Sequence, residues 1–321
     1  MLPDSFFGDN NPYKEEVSGD WMIEDGRINH TGDVFLNGIS LHETDSLQKV
    51  LNGMPLPTRT DPEGTAAFWY CESDPENTTI WAHFGKMDPN KELTEISMRP
   101  TCFYPEKQGV NYLTISGFRF SQAATQWASP TGEQVGMIAT HWNKGWIIED
   151  NVISDSKCVG ITLGKERSTG HNLYLQNKNN ESSLHYTGTQ YYTEVIFNVL
   201  RYGWNKENIG SHIVRNNVIF NCEEAGICGS MGAAFSEISG NHIYNIWRKR
   251  QFNGFEIAGI KFHGAIDTEI KNNRIHDCVM AIWLDWMSQG TRVSSNLMYH
   301  NDMDLFSEVN HGPYRVDNNC F

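Results

Sequence analysis

The sequence predicts an all-β protein, a right-handed parallel β-helix preceded by an N-terminal β-sandwich segment, and three observations carry that expectation. From about residue 110 onward a short unit recurs: a β-rich run, a polar turn containing Asn, and a second β-rich run. The turn falls at Glu149-Asp150-Asn151, Arg215-Asn216-Asn217, Ser239-Gly240-Asn241, Lys271-Asn272-Asn273, Ser294-Ser295-Asn296 and Asp317-Asn318-Asn319, and the last two steps are each 23 residues. The runs between turns, such as Trp146-Ile147-Ile148 and Val218-Ile219-Phe220, are β-branched and aromatic rather than amphipathic at helical period.

A unit this short cannot bury its apolar side alone, so it must stack on its neighbours. Helical repeats of the TPR or ankyrin kind need more than about 30 residues, and leucine-rich repeats require leucines that do not recur here. Stacked Asn amides can hydrogen-bond along the helix axis and cap the bend between strands, a structural role that keeps them out of the candidate site.

Two intervals exceed one coil: Asn151 to Asn217 is 66 residues and Asn241 to Asn273 is 32. The first surplus holds Tyr191, Tyr192, Val195, Ile196, Val199 and Leu200 at helical spacing, which predicts a short helix packed on the solenoid. Loops inserted into a solenoid tend to border its binding face.

Ahead of the repeat, Gly32–Gly38, Thr65–Tyr70 and Thr78–Phe84 read as short strands separated by turn residues, an antiparallel sandwich. The expected organisation is a jelly-roll-like β-sandwich over 1–103 and the β-helix over 104–321, with the boundary between Arg99 and Pro105.

Composition narrows the partner. A formal charge of −14 repels polyanions and favours a neutral ligand, and 10 Trp, 12 Tyr and 16 Phe offer flat faces for sugar rings. No apolar stretch approaches the roughly 20 residues needed to span a bilayer, and the N-terminus lacks a basic-then-apolar leader, so the expectation is a cytoplasmic protein without nucleic-acid or membrane partners. Self-association into a homo-oligomer is compatible with these features. The seven Cys include no CxxC pair, and Cys158, Cys222 and Cys278 recur at similar points of the repeat, reading as inward-facing free thiols rather than zinc ligands or disulfides.

A second register carries chemistry. It reads Gly136-Met137-Ile138-Ala139-Thr140, Gly160-Ile161-Thr162-Leu163-Gly164, Gly226-Ile227-Cys228-Gly229-Ser230, Gly259-Ile260-Lys261-Phe262-His263, Ala281-Ile282-Trp283-Leu284-Asp285 and Asp304-Leu305-Phe306-Ser307-Glu308. Alternate strand side chains face opposite sides, so second and fourth positions point into the solenoid while third and fifth point out. The outward fifth column is then Thr140, Gly164, Ser230, His263, Asp285 and Glu308, and the outward third column ends Lys261, Trp283, Phe306.

Asp285 and Glu308 lie 23 residues apart, one coil, so they stack at the interstrand spacing of about 4.8 Å. Retaining glycosidases place two carboxyls about 5 to 5.5 Å apart, whereas inverting enzymes need roughly 6.5 to 9.5 Å. Like charges directly opposite one another destabilise a sheet, which disfavours a purely structural origin. The alternatives are a calcium site or splayed surface acids. His263 one coil below, with Trp283, Trp286, Phe306, Asn310 and His311 around the pair, supplies the stacking faces and hydroxyl partners of a sugar pocket. Glu256, in the second insertion, lies close enough to hold sugar hydroxyls. Lys165 stands two coils further down the column, and the Arg248-Lys249-Arg250 run reads as a solvated loop rather than a substrate clamp.

At these residues the sequence resembles glycoside hydrolase family 120, the β-xylosidases built on a right-handed β-helix interrupted by a β-sandwich. The resemblance rests on Ala281-Ile282-Trp283-Leu284-Asp285-Trp286, on Asp304 through Pro313, and on Trp127-Ala128-Ser129-Pro130 through Gly145-Trp146-Ile147-Ile148-Glu149. It implies Asp285 as nucleophile, Glu308 as general acid/base, and xylo-oligosaccharides cleaved from the non-reducing end, with no cofactor and no metal. The family's β-helix starts before its sandwich and continues past the acidic motifs, whereas this sequence begins in the sandwich and ends in mid-coil at Phe321, so a fragment of a longer protein is expected. The competing readings are a pectin- or polyuronate-active lyase or hydrolase, which needs a basic or acid-rich groove where the outward columns offer chiefly Lys261, and a non-catalytic glycan-binding solenoid, which has no need of two stacked acids.

Overall fold

The structure, a computed structural model, describes residues 1–17, 29–54, 67–165, 189–251 and 256–321. Three parallel sheets wind around one core as a β-helix. The first sheet runs from Ile138–Ala139 through Val159–Thr162, Ala225–Ser230, Ala258–His263 and Met280–Asp285 to Met303–Glu308. A second stacks seven strands from Thr114–Ser116 to Arg315–Asp317, and a third stacks six from Arg119–Ser121 to Leu297–Tyr299.

The predicted Asn column is a continuous ladder. The Asn151 amide donates to Asn217 at 3.0 Å, Asn217 to Asn241 at 3.0 Å, Asn241 to Asn273 at 3.0 Å, Asn273 to Asn296 at 3.0 Å and Asn296 to Asn319 at 2.9 Å. Each amide also donates to a strand carbonyl of its own or a neighbouring coil, such as Val214 O from Asn241 at 2.9 Å. The residue before each ladder Asn turns left-handed: Asp150, Asn216, Asn272, Ser295 and Asn318 have φ between 55° and 57°, and Gly240 has φ 65°. Asp, Asn and Gly tolerate that conformation best, which explains the turn's composition.

Inside the solenoid, one isoleucine per coil fills the core: Ile161, Ile227, Ile260 and Ile282 pair in register and are fully buried. Each such side chain contributes about 1.5–3 kcal/mol by leaving water. The small residue ahead of it has a steric cause, because a Cβ on Gly226 would lie 2.7 Å from Gly259 O in the next coil.

Five of the six expected register rows hold, from Gly160–Gly164 to Asp304–Glu308. The row at residues 136–140 is a correction: Ile138, not Met137, pairs with Ile161, so His141 rather than Thr140 falls in the fifth column. Met137 and Ile138 are both apolar and both buried, so the hydrophobic pattern could not fix a one-residue slip.

Helix Thr189–Tyr202 occupies the first insertion and buries Val195 and Val199 against Trp142, Met231 and Met287, while Leu200 faces solvent. The side chains of Tyr191 and Tyr192 lie outside the described residues.

At the N-terminus two small sheets enclose a second core. One orders Leu2–Pro3, Asn77–His83, Phe68–Ser73 and His42–Glu43; the other orders Ile39–Ser40, Val34–Leu36 and Thr94–Ile96. Phe7, Tyr13, Leu36, Trp69 and Cys71 pack between them. Unlike the expected antiparallel sandwich, His42–Glu43 pairs parallel with Phe68–Trp69. Parallel neighbours need a crossover connection, and the intervening chain includes helix Leu47–Asn52. Thr65 and Ala66 of the expected strand lie outside the described residues.

Buried charges join the two parts. Lys249 Nζ lies 2.5 Å from Asp33 Oδ2 and 2.7 Å from Ser40 Oγ, and Lys157 Nζ lies 3.8 Å from Glu43 Oε2. The Arg248-Lys249-Arg250 run is therefore not a solvated loop: Lys249 is an interior anchor, and Arg248 reaches Ser40 O at 3.4 Å. All seven cysteines are free; Cys222 and Cys278 face the solenoid core, whereas Cys158 packs on the outer side with Trp127 and Val17.

Candidate active site

Parallel pairing of Met280–Asp285 with Met303–Glu308 sets Asp285 opposite Glu308, and pairing with Ala258–His263 sets His263 opposite Asp285. The carboxylates thus occupy neighbouring strands of one flat sheet, where the spacing is about 4.8 Å. Directly after each acid the chain turns left-handed, at Trp286 with φ 49° and Val309 with φ 47°. For a β-branched residue such as Val309 that conformation stores strain of order 1–3 kcal/mol, which concentrates at functional sites.

The outward face of this sheet is covered rather than open. Ser230 Oγ donates to Pro130 O at 2.7 Å, and the Ala128 amide donates to Glu224 Oε2 at 3.1 Å. The segment Trp127–Pro130 thereby roofs the lower coils, and Lys261, His263, Glu256 and Asp285 are buried while Glu308 is half-buried.

Four side chains converge on the two coils above. Lys261 Nζ donates to Asp285 Oδ2 at 2.8 Å and lies 3.4 Å from Glu256 Oε2. His263 Nε2 lies 3.1 Å from Glu256 Oε2 and 3.5 Å from Asp285 Oδ2. The ammonium already neutralises the oxygens a calcium ion would need, so these residues do not fit a hard divalent cation. Asp285 Oδ1, by contrast, is buried with no hydrogen-bond partner among the described residues. One oxygen is held and the other is not.

Glu308 has a different environment. Trp283 Nε1 donates to Glu308 Oε1 at 3.2 Å, and the Lys261 ammonium sits 3.0 Å from the centroid of the Trp283 ring. Burial first, and then the neighbouring Asp285 charge, push the Glu308 carboxyl above the usual glutamate range. An acid that holds its proton more tightly than usual, beside a carboxylate bonded to a cation, is the pairing that acid/base chemistry requires.

The remaining expected site residues divide. Glu256, His263 and Trp283 join the cluster, although one face of Trp283 carries Lys261. Trp286 is half-buried against the helix-bearing cluster with Trp142 and Met287. Asn310 spends its amide on Leu284 O and Ser307 Oγ at 3.1 and 2.7 Å, and its carbonyl accepts the Ser288 amide at 2.8 Å. His311 is exposed. Lys165 is buried three register rows from Asp285. Lys261 as the direct partner of Asp285 went unread in the sequence, although its column, one coil down and two residues back, already places it within reach.

Residues 1–96 match the family model described as glycoside hydrolase 120, insertion domain. A solved structure described as XylC in complex with xylose matches with a TM-score of 0.92 and 50% sequence identity, covering 99% of this chain and 51% of that one. This chain therefore spans about half the length of that protein. The comparison with curated proteins finds no match. With residues 1–96 matching the family's insertion domain and 50% identity to XylC in an alignment that covers 99% of its length, the chain belongs to glycoside hydrolase family 120.

Proposed function

We propose that this chain carries the catalytic centre of a retaining exo-β-xylosidase that releases xylose from the non-reducing end of xylo-oligosaccharides by double displacement. The observation that carries the reading is the in-register pairing of Asp285 with Glu308, one carboxylate bonded to Lys261 and the other raised by burial.

In the first step Asp285 Oδ1 attacks the anomeric carbon as the glycosidic C–O bond breaks, and Glu308 gives its proton to the leaving oxygen. Loss of that proton leaves Glu308 ionised. It then takes a proton from water, whose oxygen attacks the anomeric carbon, releases xylose and frees Asp285. Lys261 and His263 fix Asp285 Oδ2, so the ester forms through the other oxygen. The xylose in the matched structure supports a pentose in this pocket, and the acidic chain favours a neutral glycan over polyuronate.

Hydrolysis of a panel of aryl glycosides by the parent protein, Asp285→Ala and Glu308→Ala tests the reading. Cleavage of aryl β-xylosides is expected, with a fall of about 10³-fold or more in kcat for Asp285→Ala, the scale on which removal of a nucleophile acts. Full activity in Asp285→Ala contradicts the assigned mechanism.

A further inference from the structure

We propose that His30, Glu43 and Cys71 form a zinc-type transition-metal site inside the N-terminal sheet unit, at its junction with the β-helix. His30 Nδ1 lies 2.5 Å from Glu43 Oε1 and 3.6 Å from Cys71 Sγ, and the three donor atoms fall within 4.8 Å of one another. Glu43 and Cys71 are buried, while the His30 side chain keeps 21% of its surface exposed, a path for an ion and for a solvent ligand in the fourth position.

The same imidazole nitrogen faces both partners, which excludes a Cys–His–Glu relay, since a relay uses the two ring nitrogens separately. One proton on Nδ1 serves Glu43, and the Cys71 thiol directs its own to Tyr13 O at 3.6 Å. A single cation between the three donor atoms would replace both contacts. Tetrahedral bonds of about 2.0–2.1 Å to nitrogen and 2.3 Å to sulfur separate those atoms by about 3.6 Å, the Nδ1–Sγ distance observed. The Nδ1–Oε1 contact must open by about 0.9 Å to reach tetrahedral separation. A thiolate, an imidazole and a carboxylate together select Zn²⁺ over Ca²⁺ or Mg²⁺.

The second shell fits that purpose. Glu43 Oε2 accepts the His30 backbone amide at 2.9 Å and lies 3.8 Å from Lys157, which leaves Oε1 facing the imidazole and the thiol. This differs from the acid cluster at Asp285, where an ammonium touches the carboxylate oxygens that face the histidine. Binding releases the thiol proton to solvent. Since Lys157 belongs to the β-helix and Glu43 to the sheet unit, the ion stiffens the junction.

The test is Co²⁺ titration of the full chain carrying Cys102→Ser and Cys320→Ser, which removes the two exposed thiols, followed by Zn²⁺ competition. The expected result is about one equivalent bound, with a thiolate-to-cobalt charge-transfer band that Zn²⁺ displaces and that Cys71→Ser abolishes, and a zinc affinity at least about tenfold weaker in His30→Gln. Circular dichroism of each variant separates lost ligation from lost folding. If Cys71→Ser does not fold, protection of Cys71 from a thiol reagent by Zn²⁺ decides instead. Absence of the band, or a band unchanged in folded Cys71→Ser or His30→Gln, or reagent access unaffected by Zn²⁺, overturns the proposal.

Discussion

Replacing Asn241 with Ala breaks the interior of the amide ladder. The side chain donates to Asn273 Oδ1 at 3.0 Å and Val214 O at 2.9 Å, and accepts from the Asn217 backbone and side-chain amides, both at 3.0 Å. All four hydrogen bonds disappear, and the Asn217 backbone N–H is stranded in a site with Asn217 and Asn241 each 1% exposed. At about 1 kcal/mol net per bond, with a further cost for the unpaired donor, the expected destabilisation is about 3–5 kcal/mol. Asn319 makes the same kind of bonds, accepting from Asn296 and donating to Val293 O. Being only half-buried, it should cost about 1 kcal/mol when replaced by Ala, because water takes its place. Urea unfolding followed by circular dichroism measures both. A cost for Asn241→Ala no larger than that for Asn319→Ala would refute the claim that buried amide stacking holds the coils in register.

Three further outcomes follow from the same geometry. Because burial and the Asp285 charge raise the Glu308 carboxyl, hydrolysis should persist above the ordinary glutamate range and fall only as pH passes the raised value; Asp285→Asn, which removes one cause, should shift Glu308 downward in an NMR titration, and an unmoved Glu308 contradicts the coupling. Among the described residues, Lys261→Met leaves Asp285 and Glu256 with His263 as their remaining polar contact. It should cost about 3–5 kcal/mol of stability as an unpaired buried charge and at least about 10²-fold in kcat, so near-parent values in both assays would be inconsistent with the role given to Lys261. Burial pushes the Asp33 carboxyl up, but Lys249 and Lys157 outweigh it and hold it below the usual range; its stabilisation is present above the unfolded value and lost as pH falls through the folded one. Asp33→Asn should therefore be less stable at neutral pH and show a flatter acid limb in unfolding experiments, and an unchanged limb argues against the anchor.

Much of this was legible in the sequence for a physical reason: a solenoid repeats one local solution, so a polar turn residue and a core isoleucine recur at each coil. The Asn ladder and the column from Gly164 to Glu308 were read from spacing alone. Reading failed where periodicity carries no information. Met137 and Ile138 are equally apolar, so the slip in the first row had no hydrophobic signature. Lys249 looks like any residue of a basic run until Asp33, 216 positions away, is folded against it. Asn310 also continues the logic of the turns, by capping Ser288. The roof over the lower coils, Trp127–Pro130, is an irregular segment whose placement depends on Glu224 and Ser230 beneath it.

The central claim is that Asp285 and Glu308, one strand apart, perform a double displacement. Proton NMR of the sugar first released from an aryl β-xyloside, recorded before mutarotation, tests it most directly. Release of β-xylose is the predicted result; release of α-xylose would mean a single displacement by water between carboxyls set further apart, and would contradict the account.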